Sequence, residues 1–138
     1  MMTEHRSGQL PISGEEDIVI IRQFVRDRVR KLGFGITDVT RVVTAASELT
    51  RNIYLYAGAG VLRWRELTER DRRGIELIFQ DEGPGIPSIE AAMEVGFSTK
   101  GLLGLGLPGV KRLMDEMEIV SEMGIGTTVT VRKWIRKI

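Results

Sequence analysis

Four short stretches of this sequence hold residues whose types and spacing could do chemistry. In "ELTRN", Glu48 and Asn52 stand four apart, the spacing that brings two side chains to one face of a helix. A carboxylate there can serve as a general base, and an amide oxygen suits Mg²⁺, which takes few protein oxygens and keeps waters. Taken alone, such a pair is more often a solvated polar face. Ala45 and Leu55 fall on the same side, as residues of a pocket wall would.

The second stretch, "DEGPGIP", follows the apolar run "GIELIFQ". Asp81 sits where a strand would leave its sheet, and Gly83, Pro84 and Gly85 force a sharp turn that lets backbone approach a ligand closely. A carboxylate at a strand end can accept the exocyclic amine hydrogen of adenine, which guanine does not offer. The third, "GLLGLGLPG", runs glycines into a helix start, where exposed N–H groups and the helix dipole favour an anion. A plain surface loop fits those glycines equally well. The fourth, Gly124-Ile125-Gly126 before Thr127 and Thr128, is by itself a hairpin turn followed by β-formers.

Gly104, Gly106 and Gly109 also fit G-x-G-x-x-G, with the acidic Glu122 following at roughly the 20-residue distance of a dinucleotide site. In that fold the glycines come directly off a buried strand, whereas "EVGFSTKGLL" precedes them here and is no strand. Too little chain remains for further βαβ units. A P-loop fails because Val110 occupies the lysine position, and a eukaryotic-type kinase fails because the single histidine, His5, is nowhere near a catalytic loop.

These stretches need a frame. A short strand is expected near Gln9 to Ile12, then a helix opened by a Ser13/Glu16 capping box, striped by Ile18, Ile21, Val25, Val29 and Leu32, and ended by Gly33. A second helix, capped by Thr37 or Asp38, carries Val39, Val42, Val43, Ala46, Leu49 and Ile53 and runs to about Ala57. "GVLRWREL" and "GIELIFQ" read as strands joined by "TERDRRG". The Gly-rich segment from Asp81 to Leu107 holds only a short helix, "SIEAAMEV", and so long an irregular stretch is usually functional. Pro108 then opens the helix "PGVKRLMDEM", and "EIVSEM" with "TTVTVRKWI" closes as a hairpin. The expected class is α+β, with helices on one face of a sheet.

Composition narrows the partners. The 138 residues, 42% hydrophobic, fit a single domain over 1–138. Twenty basic against nineteen acidic residues give a net charge of +1, with no bias toward nucleic acid or an anionic membrane. No cysteine is present, and no apolar run suggests secretion or a membrane span, so a cytoplasmic protein is expected.

In order, the four stretches resemble the motif set of the GHKL ATPase family, which includes gyrase, Hsp90 and histidine kinases. "ELTRN" is similar to its N box, and "DEGPGI", "GLLGLGL" and "GIGTT" are similar to its three glycine boxes, spanning Glu48 to Thr128. Within the family the chain resembles small serine/threonine kinases that control sigma factors. The resemblance implies a Bergerat fold, a two-layer α/β sandwich with a mixed, mainly antiparallel sheet, and ATP with Mg²⁺ as ligands. It implies that Glu48 takes the proton of a substrate hydroxyl, Asn52 holds Mg²⁺, and Asp81 reads the adenine amine with Thr127 supporting it through water. Gly83 and Gly85 would shape the adenine pocket. The run Gly101, Leu103, Gly104, Leu105, Gly106 and Leu107 would meet the phosphates, under a lid from Phe97 to Leu103 that includes Lys100. Implied partners are STAS-domain stressosome proteins as substrates and a PP2C-type phosphatase that the kinase activates after release. Direct sequestration of a sigma factor, or ATP-gated phosphatase activation without catalysis, are the alternatives. No phosphoacceptor histidine with a dimerisation helix precedes the motifs and no transducer domain follows, unlike a complete histidine kinase or a gyrase. Pro108 also departs from the small aliphatic residues that many histidine kinases carry there.

Overall fold

A computed structural model of the chain describes residues 1–93 and 106–135. The predicted residues Lys100, Gly101, Leu103, Gly104 and Leu105, and the whole Phe97 to Leu103 lid, lie outside the described residues. Among the described residues, five strands, β1 (Met2–Ile12), β2 (Gly60–Glu69), β3 (Arg72–Asp81), β4 (Glu116–Glu122) and β5 (Gly126–Trp134), form one sheet in the order β1-β2-β3-β5-β4. All four pairings are antiparallel. The helices are α1 (Glu16–Leu32), α2 (Ile36–Tyr56), the short α3 (Ile89–Ala92) and α4 (Gly106–Leu113). The α+β class and the two-layer sandwich are as expected, while the sheet is antiparallel throughout the described residues rather than mixed.

Both long helices form where apolar residues recur at helical spacing, and both bury that stripe. Ile21, Val25 and Val29 of α1 and Val42, Ala46, Leu49 and Ile53 of α2 pack in one cluster with Leu62, Ile75, Leu77, Phe79, Val129 and Val131 from one face of the sheet. Acidic Glu16 and Asp17 in the first turn of α1 and basic Arg30 and Lys31 in its last turn complement the helix dipole. Gly33 ends α1 in the left-handed region at φ 105°, donating to the Arg30 carbonyl while Phe34 donates to that of Val29.

The caps differ from those expected. No Ser13/Glu16 box forms. Instead the Asp17 carboxylate accepts from the Ser13 and Gly14 N–H groups at 2.7 and 3.1 Å, because an acceptor one turn inside the helix reaches two orphan donors at once. These bonds, led by the one from Ser13, hold the Asp17 carboxyl below its ordinary value. Neither Thr37 nor Asp38 caps α2; Gly35 holds that place without a side-chain bond.

Strand extents also differ. β1 begins at Met2 rather than near Gln9, pairing along its length with β2 and bulging between Glu4 and Arg6. The β2 and β3 strands meet at a tight reversal on Arg70, whose φ is 57°. The helix expected through "PGVKRLMDEM" begins at Gly106 and stops at Leu113. Asp115 ends it, because its carboxylate takes the Trp134 N–H at 2.8 Å and the Lys133 ammonium at 3.2 Å, pulling the chain into β4.

The sheet face away from the helices carries charge. Glu76 in the central strand is 1% exposed and receives Arg65 from β2 at 2.6 Å and Arg132 from β5 at 2.7 Å, its neighbours in register. Arg132 also pairs with Glu116 of β4 at 3.0 Å, so the ladder crosses four strands. Burial alone would raise the Glu76 carboxyl, but the bonds from Arg65 and Arg132 outweigh it and hold the group below the ordinary 4.5.

Because that value is depressed on folding, the stabilisation is complete above the unfolded value and is lost as pH falls through the folded one. Glu76→Gln is expected to cost about 1–3 kcal/mol near neutrality, at the lower end for a buried pair because both arginines keep contact with water. Urea unfolding against pH checks this: the native chain should lose stability below about pH 4.5 more steeply than the variant.

Candidate functional site

The β3–β5 pairing sets Asp81 directly opposite Thr127, so the last residue of β3 and the strand after the Gly124-Ile125-Gly126 turn meet at one end of the sheet. Asp81 Oδ1 accepts from the Gly83 N–H at 2.8 Å and the Thr127 N–H at 3.3 Å. No described residue donates to Oδ2.

The "DEGPGIP" turn lies against the β4–β5 turn. The Gly124 N–H donates to the Pro84 carbonyl at 3.0 Å, and the Ile86 N–H donates to Ser121 Oγ at 2.7 Å. Ser121 Oγ in turn shares a hydrogen bond of 2.8 Å with Thr127 Oγ1. The glycines make this approach possible. At Gly85, φ 85°, a Cβ would stand 2.6 Å from the Glu122 carbonyl oxygen, and at Gly126, φ 147°, it would overlap the Asp81 carbonyl. Their absent side chains admit neighbouring backbone.

Between this corner and α2 lies a cleft of about 230 Å³. Its floor is apolar, formed by Leu49, Ile53, Phe79 and Val129, and Tyr56, Ala57, Ile86, Pro87 and Ala92 complete the wall. Of the predicted residues, Asn52, Asp81, Gly85, Gly106, Leu107 and Thr127 line it. Gly83 stands behind Asp81, where its Cβ would lie 2.6 Å from that of Ala57.

Glu48 is one turn before Asn52 but is not part of this lining. Its side chain is 11% exposed and its Oε1 takes Arg51 Nη1 at 2.8 Å. The pocket wall expected from Ala45 and Leu55 does not form: Ala45 is fully buried and Leu55 is exposed. Asn52 instead shares the cleft with Leu49 and Ile53, because the helix presents its buried stripe and its polar edge to the same opening.

Ser121 and Arg51 were not singled out from sequence. The cross-strand register of Ser121 with Thr127 identifies the first, and the i,i+3 spacing from Glu48 was the available signal for the second. Thr127 bonds Asp81 directly through its backbone N–H, and its hydroxyl shares a bond with Ser121 Oγ.

The donor set suits adenosine. An unclaimed carboxylate oxygen at the edge of an apolar cleft can accept an amine hydrogen, and the apolar lining can receive a ring. No group of three or more His, Cys, Asp or Glu that could hold a metal occurs among the described residues. A single amide oxygen at Asn52 fits Mg²⁺ that takes its other ligands from phosphate and water.

The histidine kinase-like ATPase domain matches residues 13–133. The chain belongs to this family. The serine/threonine-protein kinase RsbT of Bacillus subtilis is 52% identical over 125 residues, 91% of this chain and 94% of that protein. The anti-sigma F factor of Clostridium beijerinckii is 31% identical over 96% of each chain, and that of Halalkalibacterium halodurans 36% identical over 72% of each. The solved RsbU and RsbW domains of a Mycobacterium tuberculosis protein share the fold at a TM-score of 0.63 and 19% identity, over 94% of this chain and 33% of that one. In this histidine kinase-like ATPase domain the cleft lies within the matched span and is lined from α2, the turn after β3, the start of α4 and β5.

Gly126→Ala combines a strained backbone with a backbone clash and is expected to cost roughly 2–5 kcal/mol. Gly124→Ala, at φ 79° with nothing within 4 Å of its Cβ, should carry only the strain, about 1 kcal/mol. Parallel thermal unfolding of the two variants measures the difference.

Proposed function

We propose that the chain is an ATP-dependent protein serine/threonine kinase of sigma-factor signalling. The observation that carries this reading is the Asp81 carboxylate, fixed through Oδ1 by two N–H groups and open at Oδ2 in an apolar cleft shared with Asn52. The kinase relative supports it: 52% identity over nearly the whole chain exceeds the 31–36% shared with the anti-sigma factors cited above.

In this reading Asp81 Oδ2 accepts the adenine amine hydrogen, and Leu49, Ile53 and Phe79 exclude water from the ring. Glycine amides from Gly101, Gly104 and Gly106 face the phosphates, with Lys100, Leu103, Leu105 and Leu107 in the same run. Asn52 holds Mg²⁺, which when bound neutralises phosphate oxygens. Glu48 takes the proton from a Ser or Thr hydroxyl. That oxygen bonds to the γ-phosphorus as the bond from phosphorus to the β,γ-bridging oxygen breaks, and ADP leaves with the electron pair. The proposed substrates are STAS-domain proteins of a stressosome, and the proposed second partner is a PP2C-type phosphatase bound after release. The full 1–138 span acts as one catalytic domain, and no described helix is long and apolar enough to cross a membrane.

The anti-sigma relatives favour one second reading, direct sequestration of a sigma factor. Capture of a sigma factor in a pull-down, with no phosphate transfer to any STAS protein, would select it.

Labelled ATP with a purified STAS-domain substrate tests the first reading. Glu48→Gln should lower transfer about 10²-fold or more while ATP still binds. Asp81→Asn should weaken ATP binding about 10- to 100-fold, the worth of one charge-assisted hydrogen bond. Chelation of Mg²⁺ should stop transfer.

A further inference from the structure

Glu48 is held by a single described donor. Its neighbours on α2 are committed elsewhere: Ser47 Oγ donates to the Val43 carbonyl at 2.8 Å and Thr50 Oγ1 to that of Ala46 at 2.8 Å. Arg22 of α1 donates to Ser47 Oγ at 3.1 Å. Arg51 alone among the described residues reaches Glu48, through Oε1 at 2.8 Å, and no described donor meets Oε2. The pair is partly buried, with the Glu48 side chain 11% and the Arg51 side chain 33% exposed.

We propose that Arg51 is a positioning residue for phosphate transfer: by claiming Glu48 Oε1 it fixes the carboxylate and turns Oε2 to the incoming hydroxyl. The inference rests on the reading of Glu48 as the base. An unpaired glutamate samples several rotamers about three side-chain torsions, and a general base works only within hydrogen-bond reach of its proton. A displacement of about 1 Å can lower a rate about 10²-fold. As a helix-stabilising i,i+3 pair alone, Glu48–Arg51 would change stability slightly on removal and leave kcat untouched. The two roles therefore differ sharply in what removal does.

The test is steady-state transfer from ATP to a STAS-domain substrate by the whole chain carrying Arg51→Ala, Arg51→Lys or Glu48→Ala, with ATP affinity measured separately. Positioning predicts that Arg51→Ala lowers kcat roughly 10- to 100-fold while the ATP Kd stays within about two-fold. Arg51→Lys, which keeps a donor and a charge, should recover most of the lost kcat. A stability change with kcat intact would overturn the inference and leave the pair structural. A rise in ATP Kd that accounts for the loss would also overturn it, making Arg51 a phosphate contact. Undiminished transfer in Glu48→Ala removes the base itself; loss there with normal kcat in Arg51→Ala removes the positioning role alone.

Discussion

The site depends on one register, the pairing of β3 with β5 that sets Asp81 against Thr127. Two stretches 46 residues apart in the chain become cross-strand neighbours, and the carboxylate is fixed by the amide opposite it. Shifting that pairing by one residue would turn Asp81 to the outer face of the sheet. The apolar alternation of Ile75, Leu77 and Phe79 prevents this from one side of β3, and the Arg65–Glu76–Arg132 ladder prevents it from the other. The charged face thus serves the cleft indirectly, since a slip would disturb the pairing of buried Glu76 as well as the core.

The same register organises the turns. Once β3 and β5 are paired, the chain leaving Asp81 must cross the β4–β5 turn, and the Gly124–Pro84 and Ile86–Ser121–Thr127 bonds close that crossing. Across the sheet the α2 stripe supplies the floor. Lys133 secures the other end: 2% exposed, it donates to the Leu113 carbonyl and pairs with Asp115, tying the end of α4 to β5.

Much of this was legible in the sequence. The stripes of α1 and α2 stand out because burial on one side imposes the helical period, and the glycine turns are conspicuous because few other residues tolerate them. The start of β1 was not legible. From Thr3 to Gln9 every residue is exposed in an edge strand, so no apolar alternation marks it. The end of α4 was hidden for a different reason, since the apolar spacing of Val110, Met114 and Met117 continues past it while the bonds that stop it come from Trp134 and Lys133. Asp17 outcompeted the expected cap through geometry visible only once Ser13 and Gly14 are placed. In the site, Asn52 and Asp81 were apparent from residue type and position. Ser121 was not, because the fold creates its contact with Thr127, and Arg51 was not, because an i,i+3 ion pair on a helix is too common to stand out.

The close approach at Gly85 and Gly126 has a wider consequence. Both residues are required by protein backbone, the Glu122 and Asp81 carbonyls, before any ligand arrives. A descendant that had lost Glu48 and Asn52 would still need them to fold. The glycine signature therefore reports ancestry and architecture, and it would persist in a relative that had given up phosphate transfer and survived as a docking protein. Under the proposed kinase reading, it is the side chains at the cleft and on its flanking helix turn, Asp81, Asn52 and Glu48, that would distinguish a working member from a silent one.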